Sequence, residues 1–297
     1  MSLLSKRWRR LWTLVPMLDF FDQRDLDYLR KPNGNKDRKG FFKFVNECLR
    51  HPYADTTITK FKLKTEFYGG SHRMDGWLKF PVNKSVKELD LRVNPTRSRY
   101  CLPSAILCIR TLTLLKLNGL QLICFPKVSL SFLNVLYLVN IEMNDQALNN
   151  LLLGCPYLEQ LHVNSCYGLL KPQVLSLSLK SLEYFARGNE TINVEATNLH
   201  SLLYSGNGKC NINLIGCAAI RNLSFSYACL TSPGFEDLIS RLPLLESLNL
   251  NSCYGSNIKI MNQQLKTLIL GAALIGLTYL RLQLMHTFFY LSWLFEV

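Results

Sequence analysis

The chain has 297 residues, of which 48% are hydrophobic and 11% aromatic, so it can bury a core and is not disordered throughout. Its formal net charge of +13 is concentrated in residues 1–100, where 22 Lys and Arg accompany 11 Asp and Glu; residues 101–297 carry 12 and 10. The basic start, Lys6 to Arg10 with no signal-type apolar region behind it, argues against a secreted disulfide scaffold, so we expect reduced cysteines and a cytoplasmic or nuclear location.

Residues 1–20 begin with an amphipathic helical pattern. Leu4, Trp8, Leu11 and Trp12 have the spacing i, i+4, i+7, i+8 and form one apolar stripe, while Lys and Arg occupy the other faces. The stripe could bind a partner or dock on the first repeat of the same chain.

The next two segments lead into a repetitive region. Residues 21–40 are highly charged and contain Pro32-Asn33-Gly34, which predicts a linker. Residues 41–85 are predicted to hold a first strand unit, ITKFKL at 58–63, preceded by a helix with the apolar face Phe41, Val45, Cys48 and Leu49. We expect this helix to cap the open end of a solenoid.

An internal repeat organises residues 86–273. The pattern L-x-x-L-x-L recurs nine times, at spacings of 20 to 26 residues, and its middle leucines are Leu89, Leu115, Leu136, Leu161, Leu182, Leu202, Leu223, Leu248 and Leu268. This period is typical of leucine-rich repeats, in which each unit supplies one short strand and stacks on its neighbours. The sequence therefore predicts an α/β leucine-rich-repeat solenoid with a curved parallel sheet on its concave side.

The lengths of the repeats predict a convex side that contains both helices and extended return segments. The 25-residue spacing before Leu161 contains a helical pattern that Asn144 or Asp145 can cap and Gly154 can end. A similar pattern precedes Leu248, with Ser232 as its cap. The 20- and 21-residue spacings leave room only for extended or short 3₁₀ returns.

The cysteines and the known motifs give no indication of chemistry. No Cys-x-x-Cys pair is present, and Cys166 and Cys253 both stand five residues after a middle leucine, so we interpret them as structural residues of the repeat turn. No nucleophile elbow, zinc-protease, P-loop or dinucleotide-binding motif occurs. We therefore expect no catalytic residue, no metal site, no cofactor and no enzymatic activity.

The concave strand face is the predicted binding surface, because residues between the inward-facing positions point outward there. Its middle mixes aromatic rings with donors and acceptors, as recognition surfaces do. The candidate target-binding residues are Lys116, Tyr137, His162, Asn164, Glu183 and Phe185. A solvated surface without a dedicated ligand is the alternative, and a His162–Glu183 neighbour pair is more typical of a cross-strand contact than of catalysis.

Two further features of the sequence bear on binding to nucleic acid and to membranes. Lys60, Lys62 and Lys64 alternate along one strand face, which permits nonspecific nucleic-acid binding as a secondary hypothesis. Residues 274–297 form an apolar tail that departs from the repeat, but its charge-free runs beside Arg281 are too short for a membrane span. We expect no membrane anchor there.

The opening segment carries a family resemblance. SLLSKRWRRLW followed by TLVPMLDF resembles the closing part of the F-box in plant F-box/leucine-rich-repeat proteins of the FBD-associated type. The downstream order, from the aromatic helix at 41–50 to the repeats, is also similar to that family. Only the last third of an F-box is present, so residues 1–20 are interpreted as an F-box truncated at its N-terminus.

The resemblance implies a function. Members of the family act as substrate-recognition adaptors of SCF-type ubiquitin ligases: the F-box binds a Skp-type adaptor, and the repeats recruit an unknown target protein. The residues that would carry adaptor docking here are Leu3, Leu4, Trp8, Leu11, Trp12, Val15 and Pro16. Because the F-box is incomplete, the alternatives are a non-functional or regulatory fragment without ligase docking, or a basic nucleic-acid-binding repeat protein.

Overall fold

The computed structural model describes residues 16–22, 35–50, 58–67, 71–95, 98–123, 127–206, 211–231, 234–256, 258–262, 264–271, 280–283 and 288–291. Its helices are α1 (Asn35–Arg50), α2 (Ser71–Lys84), α3 (Asp145–Leu153) and α4 (Gly234–Ser240), with one 3₁₀ helix at Ser104–Cys108.

The strands are short and regularly spaced. In chain order they are β1 (Met17–Phe21), β2 (Lys60–Phe67), β3 (Glu88–Pro95), β4 (Tyr100–Cys101), β5 (Leu114–Asn118), β6 (Leu120–Gln121), β7 (Val135–Val139), β8 (Gln160–Asn164), β9 (Gln173–Leu175), β10 (Ser181–Phe185), β11 (Ile192–Glu195), β12 (Ser201–Ser205), β13 (Ile212–Ile215), β14 (Asn222–Ser226), β15 (Cys229–Thr231), β16 (Ser247–Asn251), β17 (Tyr254–Ser256), β18 (Ile258–Met261), β19 (Thr267–Leu270), β20 (Leu280–Gln283) and β21 (Phe288–Leu291).

One parallel sheet of 12 strands runs through the solenoid, in the order β1-β2-β3-β5-β7-β8-β10-β12-β14-β16-β19-β21. The remaining strands form small sheets in the return segments, the largest with the order β13-β11-β9. The predicted α/β leucine-rich-repeat fold is confirmed.

The register of this sheet follows the repeat. Each middle leucine pairs directly with the next, from Leu89 with Leu115 through to Leu248 with Leu268, and each is at most 1% exposed. Phe61 holds the same position in β2, opposite Leu89. Burying one such side chain stabilises the fold by about 1.5–3 kcal/mol. The repeated row of leucines is therefore both the main source of core energy and what fixes the register.

The strand ends share a left-handed turn. The residue four positions after the middle leucine has a positive φ in five units, at Gly119, Asn140, Ser165, Tyr227 and Ser252. At Gly119 a Cβ atom would overlap the carbonyl oxygen of Val93 in the preceding unit. The chain can therefore turn out of the sheet at the same point in successive repeats.

Buried thiols follow two of these turns. The Cys166 Sγ donates to the Leu138 carbonyl oxygen at 3.5 Å, and the Cys253 Sγ donates to that of Phe225 at 3.4 Å. Both acceptors belong to the preceding strand of the main sheet. The interpretation of these cysteines as structural residues is supported by their contacts, and the eight described cysteines are all free.

The convex side is mixed, as predicted. Asn144 caps α3, its side-chain oxygen accepting from the Ala147 N–H at 2.8 Å, and Leu148 and Leu151 are fully buried. The shorter returns are extended and pair as β9, β11 and β13. Ser232, the expected cap of the second helix, lies outside the described residues, and α4 begins at Gly234.

The N-terminal boundaries differ from the sequence predictions. Residues 17–20, expected at the end of the F-box remnant, belong to β1, which pairs in parallel with β2 and adds a unit to the main sheet. Helix α1 begins at Asn35, inside the segment 21–40 predicted as a linker. Since α1 follows β1 and precedes β2, it is the return segment of this unit and does not cap the end of the sheet. Alternation places Phe20 inward, at 3% exposure, and explains the extra strand.

The C-terminal region also differs from its prediction. Residues 274–297 were expected to leave the repeat, but β20 pairs with β18 and β21 pairs with β19. Phe289 pairs with Leu268, which puts a phenylalanine in the register of the leucines. No helix in the described part of the chain is both long and apolar enough to cross a membrane.

Candidate functional site on the concave face

Four of the predicted target-binding residues form one continuous row. Lys116, Tyr137, His162 and Glu183 lie on the neighbouring strands β5, β7, β8 and β10, and each is the direct Cα partner of the next. They stand one residue after a middle leucine, so the pleat that buries the leucine turns them to the concave face. The register predicted from the sequence therefore agrees with the strand pairing of these four residues, and their role in target binding stays a prediction.

The side chains of the row touch in sequence. The Lys116 Nζ lies 4.4 Å from the centre of the Tyr137 ring, which is a cation–π contact. The Tyr137 ring centre is 5.2 Å from that of His162, and the His162 Nδ1 is 2.8 Å from the Glu183 Oε2. A cation, two aromatic rings and a carboxylate are thus held side by side on rigid strands.

The two other predicted residues widen this surface. Asn164 and Phe185 are Cα partners two residues further along β8 and β10, and the Phe185 ring lies 5.3 Å from that of His162. The Asn164 Oδ1 accepts a 2.8 Å hydrogen bond from the Ser165 hydroxyl, which fixes the amide. His162 is therefore flanked by the rings of Tyr137 and Phe185. We call these six residues, Lys116, Tyr137, His162, Asn164, Glu183 and Phe185, the central row.

The N-terminal end of the concave face is charged, but its charges are paired. Lys60 lies 2.6 Å from a Glu88 oxygen and Lys62 lies 3.5 Å from an Asp19 oxygen. These two lysines do face outward, as their alternation with the buried Phe61 predicted. Their carboxylate partners reduce the positive potential that the sequence alone implies, and so weaken the nucleic-acid hypothesis.

The ion pair between Arg92 and Asp90 extends this charged end of the concave face. Arg92 donates two hydrogen bonds of 3.1 Å to the two carboxylate oxygens of Asp90, and these bonds raise the pKa of the Arg92 guanidinium. Phe21 and Lys64 complete the surface, with the Lys64 Nζ 4.7 Å from the ring centre of Phe21. Asp19 and Phe21 were not among the predicted site residues, because β1 was not predicted as a strand, although Leu18 and Phe20 carry the alternating pattern.

The C-terminal half of the concave face carries small side chains and an unpaired acceptor. Leu203, Ser224 and Asn249 continue the register of the central row. Within the described residues the buried Asn249 Oδ1 has no hydrogen-bond partner. An orphaned amide oxygen of this kind cannot be predicted from the sequence.

The central row combines charged and aromatic side chains. His162 and Glu183 form a cross-strand pair, and no serine, threonine or cysteine nucleophile belongs to the central row. Across the described part of the chain, no three His, Cys, Asp or Glu side chains gather closely enough to hold a metal ion. The face offers an aromatic surface bordered by one cation, Lys116, and one anion, Glu183.

Most of the predicted adaptor-docking residues lie outside the part of the chain that the structure describes. Leu3, Leu4, Trp8, Leu11, Trp12 and Val15 lie outside the described residues. The backbone carbonyl of Pro16 accepts hydrogen bonds from the backbone N–H groups of Thr59 and Lys60, at 2.8 and 3.2 Å. Pro16 therefore fastens β1 to the segment that enters β2.

Comparisons with known proteins agree with this architecture. The family model described as "FBD-associated F-box protein At5g56370, LRR repeats" matches residues 74–219. F-box protein At3g03040 of Arabidopsis thaliana is 29% identical over 279 residues, covering 88% of this chain and 57% of that protein. F-box/LRR-repeat protein At4g14103, also from Arabidopsis thaliana, is 35% identical over 164 residues, covering 54% of this chain and 42% of the relative.

The chain spans only part of such relatives. A third, F-box/LRR-repeat protein At3g59200 of Arabidopsis thaliana, is 33% identical over 190 residues, which cover 61% of this chain but 35% of the relative. The residues matched by the family model, 74–219, include the strands that carry the central row. The longest of these three alignments extends over most of the chain. By its repeats and its relatives, this chain is similar to F-box/leucine-rich-repeat proteins of Arabidopsis thaliana.

Proposed function

We propose that the chain is a non-catalytic recognition protein that binds a target protein on its concave face, centred on the central row. The contact from Lys116 through Tyr137 and His162 to Glu183 is the observation that supports this most directly. Aromatic side chains presented on a rigid scaffold contribute most of the binding energy in many protein interfaces.

The rigidity of the row is part of the proposal. The strands that carry it are parallel and in register, and the leucines beneath it are fully buried. Ring contacts on both sides hold His162 in one orientation. A preformed surface of this kind loses little conformational entropy when a partner binds.

The family relationship supports the wider role. We propose that the chain acts as, or derives from, the target-recruiting subunit of an SCF-type ubiquitin ligase in the cytoplasm or nucleus. The Skp-type adaptor would be contacted by the predicted docking residues Leu3, Leu4, Trp8, Leu11, Trp12, Val15 and Pro16. Of these, only Pro16 lies within the described residues. Without docking, the chain would compete for targets and act as a regulatory fragment.

The concave-face proposal is tested with matched aromatic variants. Tyr137→Ala removes a ring from the central row, whereas Tyr157→Ala removes a 63% exposed ring from the turn after α3. Interactors are compared by quantitative proximity labelling in plant cells. We expect a set of proteins that is lost with Tyr137→Ala and kept with Tyr157→Ala. Equal labelling by both variants and the wild type would remove the proposal.

The ligase link needs its own experiment. The purified chain is tested for binding to a purified plant Skp-type adaptor by calorimetry, with Trp8→Ala/Trp12→Ala as the comparison. Docking predicts binding that the double variant abolishes. Absence of binding by the wild-type chain would leave target recognition intact and assign the chain to the regulatory class.

A further inference from the structure

A groove lies between α1 and α2, on the convex side and away from the central row. It has a volume of about 510 Å³ and is lined by Arg50, Arg73, Gly76, Trp77, Lys79 and Phe80, among others. The exposed residues of α2 that face it, from His72 to Asn83, recur at helical spacing and form one stripe. The two helices therefore border one open groove.

The walls of this groove are positively charged. Arg50, Arg73 and Lys79 are exposed, and within the described residues none of them has a carboxylate partner. The Arg73 guanidinium instead lies 4.3 Å from the centre of the Phe42 ring. A groove with several uncompensated cations attracts an anionic ligand.

The described acidic side chains of the two helices, Glu47 and Asp75, have partners outside the groove. None of the groove-lining residues is Asp or Glu. Glu47 on α1 pairs with Lys43 at 3.8 Å, and Asp75 on α2 accepts a hydrogen bond from the Tyr100 hydroxyl. The groove thus keeps its positive character because the neighbouring carboxylates are engaged elsewhere.

The floor of the groove contains a glycine that nothing in the described structure requires. A Cβ atom at Gly76 would meet no atom within 4 Å, so packing does not exclude a side chain there. Glycine inside a helix costs about 0.5–1 kcal/mol relative to alanine. An incoming main chain that must approach the α2 backbone would account for this open floor.

We propose that the groove between α1 and α2 binds an acidic peptide segment of a partner protein. The stripe from His72 to Asn83 is about 16 Å long, enough for about five extended residues. Leu49 and Phe80 supply apolar contact between the cations. This site is independent of the central row, so it would serve a second partner or a second part of one target.

The aromatic floor favours a peptide over single-stranded nucleic acid. The Trp77 side chain is 3% exposed, and its indole N–H donates to the Asn46 Oδ1 at 2.7 Å. Phe42 has one ring face covered by Arg73. Nucleic-acid grooves offer open aromatic faces on which bases stack, and Trp77 does not.

The test uses fluorescence anisotropy with the full chain. The probe is a fluorescein-labelled peptide of three Glu-Glu-Leu repeats, and the comparators are its Gln-Gln-Leu counterpart and a labelled thymidine oligonucleotide of equal length. We expect saturable binding of the acidic probe at low salt and weakening as salt rises. The glutamine peptide should bind at least about tenfold more weakly.

Matched variants locate the binding. Gly76→Leu fills the floor with a good helix former, and Gly40→Leu makes the same change at an α1 glycine with equally open surroundings outside the groove. Lys79→Glu reverses a groove charge, and Lys171→Glu reverses an exposed charge elsewhere. We expect roughly tenfold weaker binding for the two groove variants and no change for their controls.

Three results would overturn the proposal. The first is no saturable binding of the acidic probe by the wild-type chain. The second is equal weakening by Lys79→Glu and Lys171→Glu, which would indicate a nonspecific charge effect. The third is preferential binding of the oligonucleotide. Tyr137→Ala should leave the anisotropy curve unchanged, so a failure at this groove is distinguishable from a failure at the concave face.

Discussion

The His162 Nδ1 and the Glu183 Oε2 lie 2.8 Å apart, on directly paired positions of β8 and β10. The His162 side chain is 17% exposed and that of Glu183 is 48% exposed, so water screens their interaction. The pair therefore contributes little to folding, and its effect is to orient the imidazole between its two aromatic neighbours.

The first prediction concerns this pair. A double-mutant cycle with His162→Ala and Glu183→Ala should give a coupling energy of about 0.2–1 kcal/mol in urea unfolding, as exposed pairs do. Glu183→Ala alone should weaken target binding more than it lowers stability, because it removes a carboxylate from the proposed binding surface while the exposed pair adds little to folding. A coupling energy above about 3 kcal/mol would show that the pair behaves as a buried one.

The repeat could be predicted from the sequence because it depends on one regular spacing of apolar residues. Leu161 and Leu182 are in register since each unit must bury the same alternating positions, and a shift by one residue would expose them. The neighbourhood of Tyr137 and His162 followed from that register. The ring contacts and the lysine above Tyr137 depend on side-chain conformations, which the register does not determine.

The two ends of the solenoid were harder to read. Leu18 and Phe20 alternate like a repeat strand, but the same residues also match the closing part of an F-box, so the local pattern fits two interpretations. Phe289 takes the position of a middle leucine, so the L-x-x-L-x-L pattern is absent there. The groove beside Gly76 depends on how two helices pack, and no local pattern encodes that.

A second prediction compares two leucines of α3. Leu151 is fully buried, whereas Leu153 is 68% exposed two residues later on the same helix. Leu151→Ala should lower the free energy of unfolding by about 2–5 kcal/mol, through lost burial and the cavity it leaves. Leu153→Ala should change it by about 0.5 kcal/mol or less. Similar losses for both, measured by urea unfolding, would contradict the helix orientation.

A third prediction concerns thiol reactivity. Burial raises the pKa of Cys166 to about 11, and the residue is 3% exposed, whereas Cys101 is exposed. Because the thiolate is the reactive form, a raised pKa keeps Cys166 protonated and unreactive at neutral and mildly alkaline pH. Iodoacetamide at about pH 8 should label Cys101 and spare Cys166, as read by peptide mass spectrometry.

The same shift has a consequence for stability against pH. The neutral thiol of Cys166 is favoured in the folded state, so its contribution is complete below the ordinary thiol value of 9.0 and declines as pH rises towards about 11. Labelling of Cys166 should therefore increase above pH 9.0, and the free energy of unfolding measured in urea should fall over the same pH range. Rapid labelling of Cys166 in the folded protein at about pH 8 would contradict its placement.

The last prediction contrasts two glycines under the same substitution. Gly119 has a φ of +75°, and a Cβ atom there would overlap the carbonyl oxygen of Val93, whereas a Cβ at Gly76 would meet nothing. Gly119→Ala should cost more than about 1–2 kcal/mol, because left-handed strain and the clash add. Gly76→Ala should stabilise the fold by about 0.5–1 kcal/mol, because alanine is the better helix former. Thermal melts of both variants measure whether each substitution raises or lowers the stability. Destabilisation by Gly76→Ala would show that the fold needs this glycine, and the open floor would then no longer support a peptide groove.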